Sequence, residues 1–63
     1  MSERGIYLIT IARIKIGEKV TDISLETFAK NESDARRKGW LYCSVLNAKH
    51  PEIKHAVIKI EKK

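Results

Sequence analysis

The first half of this 63-residue chain is patterned like two β-strands joined by a tight turn. Residues Ile6 to Ile16 are rich in β-branched side chains, and this composition is typical of a strand. Gly17-Glu18 predicts a two-residue hairpin turn, because glycine readily takes the first central position of a type II′ turn. Val20 to Ala29 is then predicted to be the returning strand.

One helix is predicted from Asn31 to about Lys49. Asn31 is the predicted N-cap, and the acidic residues Glu32 and Asp34 follow it at the positive end of the helix dipole. Pro51 cannot continue a helix and biases the residue before it away from helical geometry. The helix is therefore expected to end before this proline.

A third strand is predicted at His55 to Glu61, where Ala56, Ile58 and Ile60 alternate with the other residues. A right-handed crossover through the helix would lay this strand parallel to the second one, and if it lies beside the first strand the sheet is antiparallel. We therefore predict a two-layer α+β fold, in which one helix covers one face of a three-stranded antiparallel sheet of order 2-1-3. A single domain is expected over residues 1–63. The other sheet face has no cover within the chain.

The register of the hairpin decides which side chains face the helix. A two-residue loop at Gly17-Glu18 directs the even-numbered residues of the first strand to the helix: Ile6, Leu8, Thr10, Ala12 and Ile14. The open face would then carry Tyr7 opposite Phe28, together with Arg13 and Lys59, and these four residues are candidate contacts.

A three-residue loop is the alternative register. It would exchange the faces of the first strand and place Tyr7, Ile9 and Ile11 in the core. The two-residue register is favoured because it also pairs Arg13 with Asp22, and opposite-charge or aromatic cross-strand pairs stabilise a sheet by about 0.2–1 kcal/mol.

The helix is predicted to have a core side and a presenting side. Its apolar stripe, at about 100° per residue, consists of Ala35, Gly39, Tyr42 and Leu46, widened by Leu41 and Val45. Gly39 costs about 1 kcal/mol relative to alanine in a helix interior, so it predicts a close approach to the sheet.

Trp40 lies about 140° from Ala35 around the helix. The residues grouped with it form the candidate partner-binding site, which is Arg36, Arg37, Trp40, Ser44 and Asn47. A tryptophan among these groups has the composition of a protein-interface hot spot. It would equally suit stacking on a base while the arginines hold phosphates. In a third interpretation Trp40 packs over the edge of the core against Cys43 and the arginine stems.

The net charge of +5 is concentrated in the second half of the chain. Residues 35–63 carry eight basic and two acidic side chains, whereas residues 1–34 carry five basic and six acidic ones. A basic half is typical of a domain that meets nucleic acid or an acidic protein, although a lysine-rich surface also maintains solubility. A lone cysteine, and no apolar run of about 20 residues, favour the cytoplasm of a cell or host cell and no membrane partner.

The residue types that carry catalysis are poorly arranged for it. Cys43, His50 and His55 are the soft metal ligands, and their spacing lacks the paired pattern of structural zinc sites. The carboxylates are scattered among lysines, and the three glycines are isolated. No enzymatic activity, metal or cofactor is therefore predicted.

The strand–helix junction resembles that of one small phage family. The residues that carry the resemblance are Phe28-Ala29-Lys30-Asn31-Glu32-Ser33-Asp34-Ala35, followed by Trp40 and Tyr42. This pattern is similar to the RNA polymerase inhibitor of T7-like phages, another short β-β-α-β chain. The plan also resembles the archaeal ribosomal protein LX, with its late Lys-His pair and a terminal strand like Val57-Ile58-Lys59-Ile60-Glu61. Both resemblances imply a non-enzymatic module that contacts nucleic-acid machinery.

The leading hypothesis is a small binding protein that docks on a nucleic-acid-handling enzyme or complex and modulates or inhibits it. The first alternative is a basic module that binds RNA or DNA directly or associates with the ribosome. The second alternative is a structural homodimer joined through the open sheet face.

Overall fold

The computed structural model describes residues 4–63, and of Lys19 only the backbone. The predicted domain of residues 1–63 begins at Met1, which lies outside the described residues. The secondary-structure elements are β1 (Gly5–Lys15), β2 (Glu18–Lys19), β3 (Ile23–Ala29), α1 (Glu32–Lys49) and β4 (Ile53–Lys62). They form one sheet and one helix.

The long strand β1 is the centre of the sheet. The short β2 and then β3 pair antiparallel with one edge of β1, so together they form the returning strand of the hairpin. β4 pairs antiparallel with the other edge. The predicted α+β fold, with a three-stranded antiparallel sheet and one helix, is therefore confirmed.

The hairpin turn is centred one residue earlier than predicted. Lys15 pairs with Glu18, which leaves Ile16 and Gly17 as the two central residues. Gly17 has a φ of 80°, and a positive φ at the second central residue is what a type II turn requires. The prediction of a type II′ turn at Gly17-Glu18 is therefore wrong.

The predicted hairpin register is also wrong. The returning strand takes five residue steps, from Glu18 to Ile23, where β1 takes only four, from Lys15 to Ile11. The extra residue lies among residues 20–22, which belong to neither β2 nor β3. It determines which side chains of β3 lie on the same sheet face as the odd-numbered side chains of β1. As a result Ile11 pairs with Ile23 and Ile9 with Leu25.

The core lies between α1 and the odd-numbered residues of β1. Ile9 and Ile11 are 0% exposed and Tyr7 is 3% exposed, so the core set of the alternative register is the one observed. The buried apolar residues are Tyr7, Ile9, Ile11, Ala29, Ala35 and Cys43. Because even-numbered residues of β1 point the other way, the predicted helix-facing set now forms the open face.

A bulge in β4 changes which of its residues face the helix. Thr10 pairs with Lys59 and Ile11 pairs with Val57, so Ile58 is skipped in the pairing. Val57 and Ile60 therefore both pack against the core. The predicted simple alternation, which grouped Ile58 with Ile60, is wrong, since Ile58 is 56% exposed.

Both ends of α1 agree with the sequence-based prediction. The Asn31 side-chain oxygen accepts a hydrogen bond from the Asp34 backbone N–H at 2.9 Å, and the Asp34 carboxylate accepts one from the Lys30 backbone N–H at 3.0 Å. The pKa of Asp34 is lowered to about 2, first because of the Lys30 N–H bond and next because of Arg37. The helix ends at Lys49, before Pro51.

The helix approaches the sheet most closely at Gly39, as predicted. A Cβ atom added there would lie 3.1 Å from Cγ2 of Ile9 and 3.1 Å from Cγ2 of Val57. The buried line of the helix is Ala35, Gly39 and Cys43. This line is rotated from the predicted stripe, because Cys43 takes the inward place expected for Tyr42, which is 43% exposed.

Candidate interaction surface on the helix

Trp40 lies on the flank of α1, about 100° from the buried Gly39. It is 44% exposed, so roughly half of its surface is covered by the domain and the rest faces solvent. Because the buried line runs through Cys43, Trp40 is closer to the core than the sequence predicted. The packing interpretation therefore fits the covered part of the ring, and a role of the exposed part in partner binding stays a prediction.

Asn47, a member of the predicted site, is turned toward β4. Its side-chain oxygen accepts hydrogen bonds from the His55 backbone N–H and from the His55 ring Nδ1, each at 2.9 Å. A backbone N–H only donates, which identifies the Asn47 atom as the oxygen and assigns the hydrogen to Nδ1. Asn47 thus joins the last turn of the helix to the sheet, and its role in partner binding stays a prediction.

The two arginines of the predicted site form ion pairs on the exposed helix surface. Arg36 contacts Glu32 at 3.5 Å and Arg37 contacts Asp34 at 2.9 Å. Their side chains remain 56% and 63% exposed. Exposed pairs of this kind contribute only about 0–1 kcal/mol, so both guanidinium groups can exchange partners at little cost.

Four of the five predicted partner-binding residues thus share one exposed side of the helix. We define the Trp40 flank as Arg36, Arg37, Trp40 and Ser44. The flank lies on the β4 side of the helix, because Asn47 on the same side bonds His55. On the opposite side Lys38 donates from Nζ to the Phe28 carbonyl of β3 at 2.7 Å.

That opposite side exposes apolar residues which the sequence assigned to the core stripe. Leu41 is 55% exposed, Val45 is 50% exposed and Tyr42 is 43% exposed. Counting Cys43 as a core residue would have revealed this, since Ala35, Gly39 and Cys43 follow one another at helical spacing. The core predicted for the helix was therefore correct at Ala35 and Gly39 and wrong at these three positions.

The four predicted open-face contacts divide between the two sheet faces. Phe28 pairs with Ile6 and Lys59 pairs with Thr10, so both lie on the open face. Tyr7 is in the core instead.

Arg13 is also on the helix side of the sheet, because it is an odd-numbered residue of β1 and pairs with His55. In place of the predicted pairing with Asp22, its Nε donates to the Thr21 carbonyl at 2.7 Å. The predicted placement of Tyr7 and Arg13 on the open face is therefore wrong, and the reason is the extra residue in the returning strand.

The two buried side chains with reactive groups, Cys43 and His55, lie inside the fold. Cys43 is fully buried, and burial raises the pKa of its thiol, so the sulfur stays protonated at neutral pH. His55 is 4% exposed and donates from Nδ1 to Asn47. Within residues 4–63 no three His, Cys, Asp or Glu side chains are grouped to hold a metal ion.

Comparison with protein-family models, curated proteins and solved structures found no match to this chain. The resemblances to the phage polymerase inhibitor and to ribosomal protein LX therefore stay predictions. Among the described residues, no helix is both long enough and apolar enough to cross a membrane.

Proposed function

We propose that this protein is a small non-enzymatic binding module, which docks through the Trp40 flank on a protein that handles nucleic acid and modulates or inhibits it. The observation that supports this proposal is the 44% exposure of Trp40 in the middle of an 18-residue helix. A partly exposed tryptophan beside arginine is the residue combination in which binding energy concentrates at protein interfaces.

The backbone that carries the Trp40 flank is held in place before any partner binds. Asn31 caps the start of the helix, and Asn47 ties its end to His55. Gly39, directly beside Trp40 in sequence, packs closely on Ile9. A preorganised helix loses little conformational freedom on binding, which favours affinity.

The charges around Trp40 favour a protein partner over a phosphate backbone. Glu32 and Asp34 stand within contact distance of the two arginines, so phosphates on this flank would meet two carboxylates. A protein surface with both acceptors and donors can exchange with these pairs. The net charge of +5 adds long-range attraction to an acidic partner.

The test is affinity capture from lysate, with and without nuclease treatment, with the wild-type chain, Trp40→Ala and Tyr42→Ala. Tyr42 is the matched control, because it is an aromatic residue of 43% exposure on the other side of the same helix. We expect one stoichiometric partner, retained by wild type and Tyr42→Ala and lost by Trp40→Ala. The catalytic rate of this partner is then measured with and without the protein.

Two results would contradict the proposal. Loss of every partner on nuclease treatment, with an affinity that falls steeply as salt rises, would indicate direct nucleic-acid binding. A loss of several kcal/mol of folding stability in Trp40→Ala, as for a fully buried aromatic, would make Trp40 a core residue.

A further inference from the structure

The central strand β1 carries apolar side chains on both of its faces. Tyr7, Ile9 and Ile11 face the helix and are buried. The opposite side of the same strand presents Ile6, Leu8, Thr10, Ala12 and Ile14. Near-continuous apolar runs are typical of strands that are covered on both faces, whereas α1 covers only one.

We define the open face as these five residues of β1 together with Phe28 of β3, which pairs with Ile6. Three of its large apolar side chains are well exposed: Ile6 at 42%, and Ile14 and Phe28 at 56% each. They lie on one side of a continuous sheet. Contiguous apolar patches of this kind mark interaction surfaces.

The charges of the described side chains on the open face largely cancel, although the chain as a whole carries +5. Lys63 forms an ion pair with Glu26 across the central strand, and Lys59 forms one with Glu61 at 2.8 Å. Lys54, which pairs with Ile14 at one end of the face, is a further charge there. The charges named here sum to +1, so the face has little attraction for phosphate or for an acidic protein. Lys59 pairs with Thr10 and would approach the Lys59 of a second copy at an axis there, where its ion pair with Glu61 offsets part of the repulsion.

We propose that the open face binds the open face of a second copy of this chain, across a two-fold axis that passes near Thr10. Ile6 and Ile14 lie four residues on either side of Thr10, about 13 Å away along the strand. A two-fold axis perpendicular to β1 and parallel to the sheet therefore brings Ile6 of one copy against Ile14 of the other. Leu8 meets Ala12 in the same way, a large side chain against a small one.

The proposed dimer is a sandwich of two sheets about 10 Å apart, with both helices outside. The two Trp40 flanks then remain exposed on opposite sides. The dimer would therefore be bivalent toward a partner, which raises avidity without any new contact. This inference goes beyond the proposed function, and either one can fail without the other.

Sedimentation velocity over a range of protein concentrations tests the dimer. We expect the wild-type chain to pass from monomer to dimer at micromolar concentration. Ile14→Lys is expected to weaken the dimer at least about tenfold. Leu41→Lys is the matched control, because it adds the same charge at a residue of 55% exposure on the helix, and it should leave dimerisation unchanged.

A charge pair tests the position of the axis. Ile6→Glu alone should weaken the dimer, as Ile14→Lys does. The double variant Ile6→Glu/Ile14→Lys should restore it, since each introduced charge meets its opposite across the two-fold axis. Circular dichroism of each variant checks that the fold is kept.

Three outcomes would overturn the proposal. The first is a wild-type chain that stays monomeric up to about 1 mM, well above the concentrations at which specific dimers form. The second is equal weakening by Leu41→Lys and Ile14→Lys. The third is a folded double variant that remains as weak as the single variants, which would exclude the two-fold axis at Thr10.

Discussion

The side-chain oxygen of Asn47 accepts two hydrogen bonds from His55, one from the backbone N–H and one from ring Nδ1, each at 2.9 Å. His55 is 4% exposed, so both donors are largely removed from water. The pair fastens the last turn of α1 to the start of β4, across the loop that contains Pro51. It is therefore a specific polar link between the two layers of the fold.

We expect Asn47→Ala to lower the free energy of unfolding by about 2–3 kcal/mol, because a buried donor left without an acceptor costs about 1–3 kcal/mol. Urea denaturation followed by circular dichroism measures this change. Ser44→Ala, one turn earlier on the exposed surface, is the control and should stay within about 0.5 kcal/mol of wild type. Equal stability of the two variants would show that the link to His55 contributes nothing.

Gly39→Ala is expected to destabilise the protein, although alanine is the better helix former. The helix-propensity gain is about 1 kcal/mol, and overpacking a filled core costs about 1–3 kcal/mol. Because the added Cβ would meet Ile9 and Val57 at 3.1 Å, overpacking should prevail by about 1 kcal/mol. Thermal unfolding measures the difference, and a more stable variant would contradict the close approach.

Val57→Ala provides a direct test of that contact. It removes Cγ2 of Val57, one of the two atoms at 3.1 Å from the added Cβ. In the double variant Gly39→Ala/Val57→Ala the loss should therefore be smaller than the sum of the two single losses. A double-mutant cycle with a coupling energy of about 0.5 kcal/mol or more is the expected result.

Asp34 should make folding stability depend on pH in the acid range. Its pKa falls from the ordinary value of 3.8 to about 2 in the folded chain. The charged carboxylate therefore stabilises the fold at pH values above 3.8, and this contribution disappears as pH falls from 3.8 to about 2. Asp34→Asn keeps an acceptor for the Lys30 N–H but cannot titrate.

The measurement is urea denaturation of wild type and Asp34→Asn between pH 5 and pH 2. We expect wild type to have the larger free energy of unfolding at pH 5, and we expect its difference from Asp34→Asn to shrink as the pH falls. The other carboxylates titrate in both chains. The difference in free energy of unfolding between wild type and the variant therefore reports on Asp34 alone. An advantage that does not change with pH would contradict the assigned shift.

Gly17→Ala is expected to destabilise the hairpin by about 1 kcal/mol, because a residue with a Cβ is strained at positive φ. The φ of Gly17 is 80°, although open space surrounds it. Gly5→Ala is the control, since its Cβ would meet only the flexible end of the Lys62 side chain, at 3.3 Å. A Gly17 variant no less stable than the Gly5 variant would contradict the assigned turn geometry.

The helix ends could be predicted because their causes are local. Asn31 caps the helix through a contact three residues away, and Pro51 restricts the backbone immediately before it. Gly39 was recognisable for a similar reason, since a glycine in a helix interior is costly unless it allows a close approach. The exposed arginines beside Trp40 also follow from helical spacing alone.

The faces of the strands could not be predicted in the same way. One extra residue between Glu18 and Ile23 determines which side chains of β3 face the helix. The skipped Ile58 does the same for β4. Side chains alternate with a period of two, so one inserted residue exchanges the core and open sets. In β1 both sets are apolar, and composition therefore gave no means of choosing between them.

By itself, the sequence determined the order of the elements, the ends of the helix, the close approach at Gly39 and the concentration of positive charge in the second half. These depend on contacts within a few residues or on composition. The tertiary structure decided that Tyr7 is buried, that Cys43 rather than Tyr42 faces the sheet, and that Asn47 holds His55. Those outcomes depend on strand register and helix rotation, which are set by how all the elements pack together.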